Sequence, residues 1–147
     1  MRISAKGRYA LAALVEIARQ TRIGEVVSVV SISEKLGISK IFLEQAVAAL
    51  KKEAIIHSTK GARGGYQLAR QAHTITTLEV LSALENTLME KADNTVSGQA
   101  PATEAALRMV FDKLDQAIEA CLSELNVQDL LEYADRQNSE QSFMLHM

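Results

Sequence analysis

The 147-residue chain has one cysteine, one proline and no tryptophan, and only 4% of its residues are aromatic. A lone cysteine, Cys121, excludes an intrachain disulfide and a metal cage of several thiolates from one chain. With few rings available, the core must be aliphatic and rich in alanine, which suits helices. No apolar run approaches the roughly 20 residues that a membrane helix needs. The start, "MRISAKGRYA", lacks the apolar stretch of a secretory signal. These absences point to a cytoplasmic protein in a reducing compartment. The three histidines, His57, His73 and His146, have no spacing that makes a local metal pair on a helix.

What is present is unevenly placed. Residues 1–73 carry twelve Lys and Arg against five Asp and Glu, whereas residues 74–147 carry four against thirteen. A basic half joined to an acidic half is expected where one half meets a polyanion and the other must not.

Ser4 is placed to cap a helix from Ala5 to about Gln20, with Leu11, Leu14, Val15 and Ile17 on its apolar face. Lys6, Arg8 and Tyr9 occupy its first turns. Cations there oppose the helix dipole, which suggests that an external anion offsets them. Ser31 then caps a short helix ending near Leu36, Gly37 supplies a left-handed stop, and Ser39 caps a helix from Lys40 to Glu53. Two short helices around a glycine-containing turn make a helix-turn-helix, with Ile32, Leu36, Ile38, Leu43, Val47 and Leu50 as its expected core. The period then changes. "IIHST" and "GYQLAR" read as strands around the loop from Lys60 to Gly65, a hairpin in the position of a wing. Glycines at its tip permit positive φ and close approach to another surface. Lys60 and Arg63 supply charge for a minor groove or for phosphates, and Tyr66 anchors the hairpin. The loop lacks the Walker pattern and the strand-to-helix context of a nucleotide-phosphate site.

Thr77 is expected to cap the next helix, and "KADNTVSGQAPAT" reads as a mobile loop. From Glu104, Leu107, Phe111, Leu114, Ile118, Cys121 and Leu125 recur at spacings of 4, 3, 4, 3 and 4. That heptad-like seam is expected to pack on a second copy of itself. Asn126 caps a final short helix, followed by a flexible tail over 136–147. The fold expected is mainly α with a small β wing. A winged helix-turn-helix domain (1–73) precedes a linking helix and mobile loop (74–103), then a dimerisation helix with a short C-terminal helix (104–135).

"MRISAKGRYAL", "GISKIFLEQAVAALKK" and "KGARGGYQLAR" resemble the three signature blocks of the Rrf-two family of bacterial winged-helix regulators, over Met1 to about Leu131. The resemblance implies a homodimer that binds palindromic double-stranded DNA and acts as a repressor, with a recognition helix in the major groove and a wing in the minor groove. By it, Lys6, Arg8 and Tyr9 match a phosphate-contacting turn, and Ser39, Lys40, Glu44 and Gln45 match the exposed face of the recognition helix. Glu44 would accept from a cytosine amino group and Gln45 would pair with adenine. Lys60, Arg63 and Gly64 fall in the wing, Lys60 standing where the family usually has arginine.

Many members hold an iron–sulfur cluster through three cysteines in the loop before the dimer helix. Here Thr87 to Thr103 contains none, so no cofactor is expected. Cluster-less members include a repressor of cysteine metabolism. That likeness implies sulfur-metabolism genes as targets and cysteine synthase as an enzyme partner. Cys121 reads either as a small packed hydrophobe or as a redox-sensing thiol. A protein-interaction module whose acidic half docks on a metabolic enzyme stays open as the other reading. An enzyme is disfavoured, because no nucleophile has an adjacent base and no paired carboxylates face a basic partner.

Overall fold

A computed structural model describes residues 3–146. Helix α1 (Ala5–Arg22) starts where the Ser4 hydroxyl accepts from the Gly7 N–H at 3.1 Å. It runs one half-turn beyond Gln20, with Arg19 and Arg22 favourably placed in its negative C-terminal turn. Helix α2 (Val29–Leu36) is capped by Ser28, not Ser31. The Ser28 hydroxyl accepts from the Ser31 N–H at 3.1 Å, which puts Ser31 inside the first turn. The cause lies one residue upstream: Val27 pairs with Tyr66 in a β-bridge, so the chain enters Ser28 extended, as a cap residue must. Gly37 ends α2 at φ 68°, as expected. Ser39 precedes helix α3 (Lys40–Lys52) at the cap position but makes no side-chain cap bond.

Strands β1 (Ile56–Thr59) and β2 (Gly65–Leu68) pair antiparallel, Ile56 opposite Leu68 and Ser58 opposite Tyr66. A single 3₁₀ turn, Ala72–Thr74, carries His73 and leads to helix α4 (Thr77–Leu84). Thr76 is the cap here rather than Thr77, and it forms a capping box with Glu79. Thr77 is the first helical residue and is buried. Its hydroxyl donates to the Leu122 carbonyl at 2.7 Å and its N–H to that of Leu125 at 2.8 Å. Helix α5 (Pro101–Glu124) begins three residues before Glu104, because Pro101 sits at the first helical position, where its fixed φ is compatible. The preceding segment is irregular, yet it is held. Glu104 Oε2 accepts from the N–H groups of Thr95 and Val96 at 2.9 and 3.1 Å, and Arg108 donates to the Ala92 carbonyl at 2.9 Å.

Helix α6 (Val127–Leu145) is 19 residues long, not short. Residues 136–145, expected as a flexible tail, are its last turns. The stretch has neither glycine nor proline to break it.

One hydrophobic cluster joins these parts. Leu14 and Ile17 of α1, Ile32 of α2, Leu43, Val47 and Leu50 of α3, Ile56 of β1, Val80 of α4 and Val127 and Leu131 of α6 are all essentially inaccessible. Truncating any of the large ones to alanine would cost about 2–5 kcal/mol. Leu36 and Ile38 pack only partly against it. The core therefore extends past residue 73 into α4 and the start of α6. Among the described α-helices, α5 alone has no buried residue. Among the described residues, no helix is long and apolar enough to cross a membrane.

Candidate nucleic-acid interface

The burial of Leu43, Ala46, Val47 and Leu50 fixes which way α3 faces. Its other side presents Lys40, Ile41, Phe42, Glu44, Gln45 and Ala48 to solvent. Lys40 Nζ lies 3.8 Å from Glu44 Oε1, one helical turn on. Beside α3 stands the start of α1, with Lys6 and Arg8 exposed and Tyr9 half-buried. The Tyr9 and Phe42 rings stack at 6.0 Å between centroids and 17° between planes. Ser4, Ala5, Lys6, Tyr9, Phe42 and Gln45 line one groove. On the other flank, Glu44 shares a second groove with Ser28, Val29, Ser58, Gly64 and Tyr66, between α3 and the wing.

The wing tip is a tight turn closed by the Gly64 N–H donating to the Gly61 carbonyl at 3.0 Å. Gly61 alone of the tip glycines needs positive φ, at 116°. The other two serve close approach, but to this chain itself. A Cβ on Gly64 would fall 2.2 Å from the Thr59 carbonyl oxygen, and one on Gly65 2.7 Å from the Val27 backbone. Tyr66 anchors the hairpin as expected. It packs on the core, and its backbone exchanges hydrogen bonds of 2.8 and 3.1 Å with Val27. Lys60 and Arg63 are left exposed at the tip.

Among the described residues, Lys6, Arg8, Lys60 and Arg63 enter no salt bridge. On α3 itself Lys40 is paired with Glu44, and other paired cations lie away from this face. Lys35 meets the buried Glu16 at 2.6 Å, and Arg19 and Arg22 both clasp Asp135 of α6, the second at 2.8 Å. Hydrogen bonds from Arg22 and Arg19 hold the Asp135 carboxyl below its ordinary value. The anion expected at the start of α1 also has an internal source. Glu85 accepts from both the N–H and the hydroxyl of Ser4, putting a carboxylate at the positive end of that helix.

Of the ten residues singled out in the sequence, Arg8, Ser39, Lys40, Lys60 and Arg63 are exposed, and the other five line the two grooves. Gln45 falls in with Lys6 and Tyr9, and Glu44 with Gly64. Sequence reasoning passed over Phe42. Its signal was one of phase: it adjoins Leu43, whose burial turns Phe42 outward.

The seam on α5 divides. Leu114, Cys121 and Leu125 are exposed, whereas Leu107, Phe111 and Ile118 are half-buried. Met109 and Val110 join the exposed apolar set at 57% and 55% accessibility.

A helix-turn-helix whose second helix is flanked by a basic hairpin defines the class: a winged-helix DNA-binding regulator. A family model described as Rrf2, iron-dependent transcriptional regulator, matches residues 3–133, and the chain belongs to that family. It is 34% identical to the HTH-type transcriptional regulator IscR of Yersinia enterocolitica over 146 residues, covering 95% of this chain and 88% of that one. The IscR of Xenorhabdus nematophila is 32% identical with the same coverage. Among solved structures, CymR (YrzC), the global cysteine regulator of B. subtilis, superimposes with a TM-score of 0.77 at 28% identity, over 90% of this chain and 98% of that one. IscR of T. potens gives 0.73 at 30% identity, over 91% and 88%.

The family description implies iron, and the residues here do not fit an iron–sulfur cluster. The chain has one thiol, Cys121, exposed on α5, and the irregular segment before α5 has none. Among the described residues, no three His, Cys, Asp or Glu side chains are grouped to hold a metal ion.

Proposed function

We propose that the chain is a homodimeric transcriptional repressor that occupies a palindromic operator without an iron–sulfur cluster. The observation that carries this reading is the set of four unpaired cations, Lys6, Arg8, Lys60 and Arg63, flanking the exposed face of α3. Lys6 and Arg8 hold phosphates on one side of the groove, Lys60 and Arg63 engage the minor groove on the other, and Ser39, Lys40, Glu44 and Gln45 meet base edges. Dimerisation runs through α5, where Val110, Leu114 and Cys121, with Leu125 just past its end, offer an apolar stripe that its own domain leaves uncovered. Residues 1–73 thus grip the duplex and residues 104–135 double the unit. Likeness to the global cysteine regulator of B. subtilis supports genes of sulfur metabolism as targets.

The test is selection of a preferred duplex from a random library, then binding measured by fluorescence anisotropy across a salt series. Neutralising about four to six phosphates gives a slope of log K on log salt of roughly −4 to −5. Arg63→Ala and Lys60→Ala should each weaken binding on all sequences and flatten that slope. A flat salt response in the parent protein refutes the reading.

A further inference from the structure

Phe42 is an expensive residue to leave where it is. It is the third residue of α3, half exposed, with Ile41 beside it still more exposed at 65%. The core does not need it, since Leu43 next to it is completely buried and carries the packing of that turn. It has one aromatic neighbour, the Tyr9 ring, which stacks beside it at 17° between planes. An apolar ring in the groove that Lys6 and Gln45 also line suits a partner that is anionic overall but bears apolar groups on its edge. In the major groove of a duplex that group is the 5-methyl of thymine.

Gln45 lies three residues on, on the same face of α3, and lines the same groove as Phe42. Three residues of helix rise about 4.5 Å, and successive base pairs are spaced about 3.4 Å, so the two side chains reach the same or adjoining base pairs. We infer that Phe42, stacked beside Tyr9, is a specificity-determining residue that packs on the methyl group of a thymine within one base pair of the adenine read by Gln45. The Ser4–Gln45 groove is then a reader of A·T pairs, while Glu44, in the other groove, faces the wing side. This inference rests on the DNA-binding reading above.

The experiment uses the full-length protein and its selected operator. Each thymine is replaced in turn, symmetrically in both half-sites, by deoxyuridine, which removes only the methyl. One position should weaken binding about fourfold per half-site, the worth of one buried methyl. Phe42→Ala should bind the thymine operator more weakly and lose its sensitivity to deoxyuridine at that same position, while keeping its salt slope. Because the first arm uses the unaltered protein, it does not depend on how the variant folds. Neutral behaviour at every thymine, as a protein partner or a second copy seated in the groove would give, overturns the inference but leaves DNA binding intact. An undiminished deoxyuridine penalty in Phe42→Ala also overturns it. Failure to bind any duplex overturns the underlying reading instead.

Discussion

Replacing Gly65 with alanine adds one methyl group at the point where the wing meets the rest of the chain. The new Cβ would stand 2.7 Å from both the carbonyl carbon and oxygen of Val27 and 3.0 Å from its nitrogen. These are backbone atoms and cannot rotate away. Restoring ordinary contact requires β2 and the Val27 segment to part by about 0.8 Å, judged against a normal carbon contact of about 3.5 Å. The two hydrogen bonds that join them, 2.8 and 3.1 Å long, would then stretch beyond useful range. Each is worth about 1 kcal/mol net, so about 2 kcal/mol is at stake. Alanine returns roughly 0.4–1 kcal/mol by restricting the unfolded chain. The expected loss is therefore about 1–2 kcal/mol, a fall in Tm of about 3–8 °C for a chain of this size. Thermal unfolding measures it, and hydrogen exchange at the Val27 and Tyr66 amides locates it. Gly98→Ala is the control, because nothing lies within 4 Å of its would-be Cβ. Unchanged Tm and unchanged protection of the Tyr66 amide in Gly65→Ala would refute the steric argument.

Two further outcomes are expected. Arg22 and Arg19 hold the Asp135 carboxyl below its usual 3.8, so the unfolded chain binds the proton more readily. The clasp thus contributes stability above about pH 4 and loses it as pH falls through the lowered folded value. In a series of melts, the gap between parent and Asp135→Asn should be constant at neutral pH and close in acid; a gap that widens in acid contradicts the assignment. Leu114→Glu puts a charge on the exposed α5 stripe without touching the core, and light scattering coupled to gel filtration should report a protomer of half the parent's mass. A variant that elutes unchanged would remove α5 from the proposed interface.

The helix-turn-helix and wing were legible because their signals are local. Gly37 stops α2, apolar residues at helical spacing set the face of α3, and a basic glycine loop between two alternating runs marks the hairpin. The errors arise where a distant partner decides. Ser28 and Ser31 are equally good caps in isolation, and it is the bridge from Val27 to Tyr66 that selects Ser28. Thr76 prevails over Thr77 through Glu79, a capping box that was readable, while Thr77 is drawn inward by the carbonyls of Leu122 and Leu125. The residues of the expected seam on α5 differ in exposure. Leu107, Phe111 and Ile118 share a half-covered face, and only the folded chain separates them from Leu114 and Cys121. The same holds for Glu85, which lies 81 residues from Ser4 in the chain and yet supplies the anion at the start of α1.

Helix α5 has no interior of its own, and that has a bearing on dosage. A protomer alone would leave the stripe of Val110, Leu114 and Cys121 in water, open to aberrant association. Pairing on the proposed stripe removes that hazard, so survival of the regulator would itself depend on how much of it there is. Scarce copies would be cleared fastest and abundant ones protected. Occupancy of a target would then climb more steeply than linearly with synthesis, giving a switch a sharp threshold from nothing more than a helix that cannot hide alone.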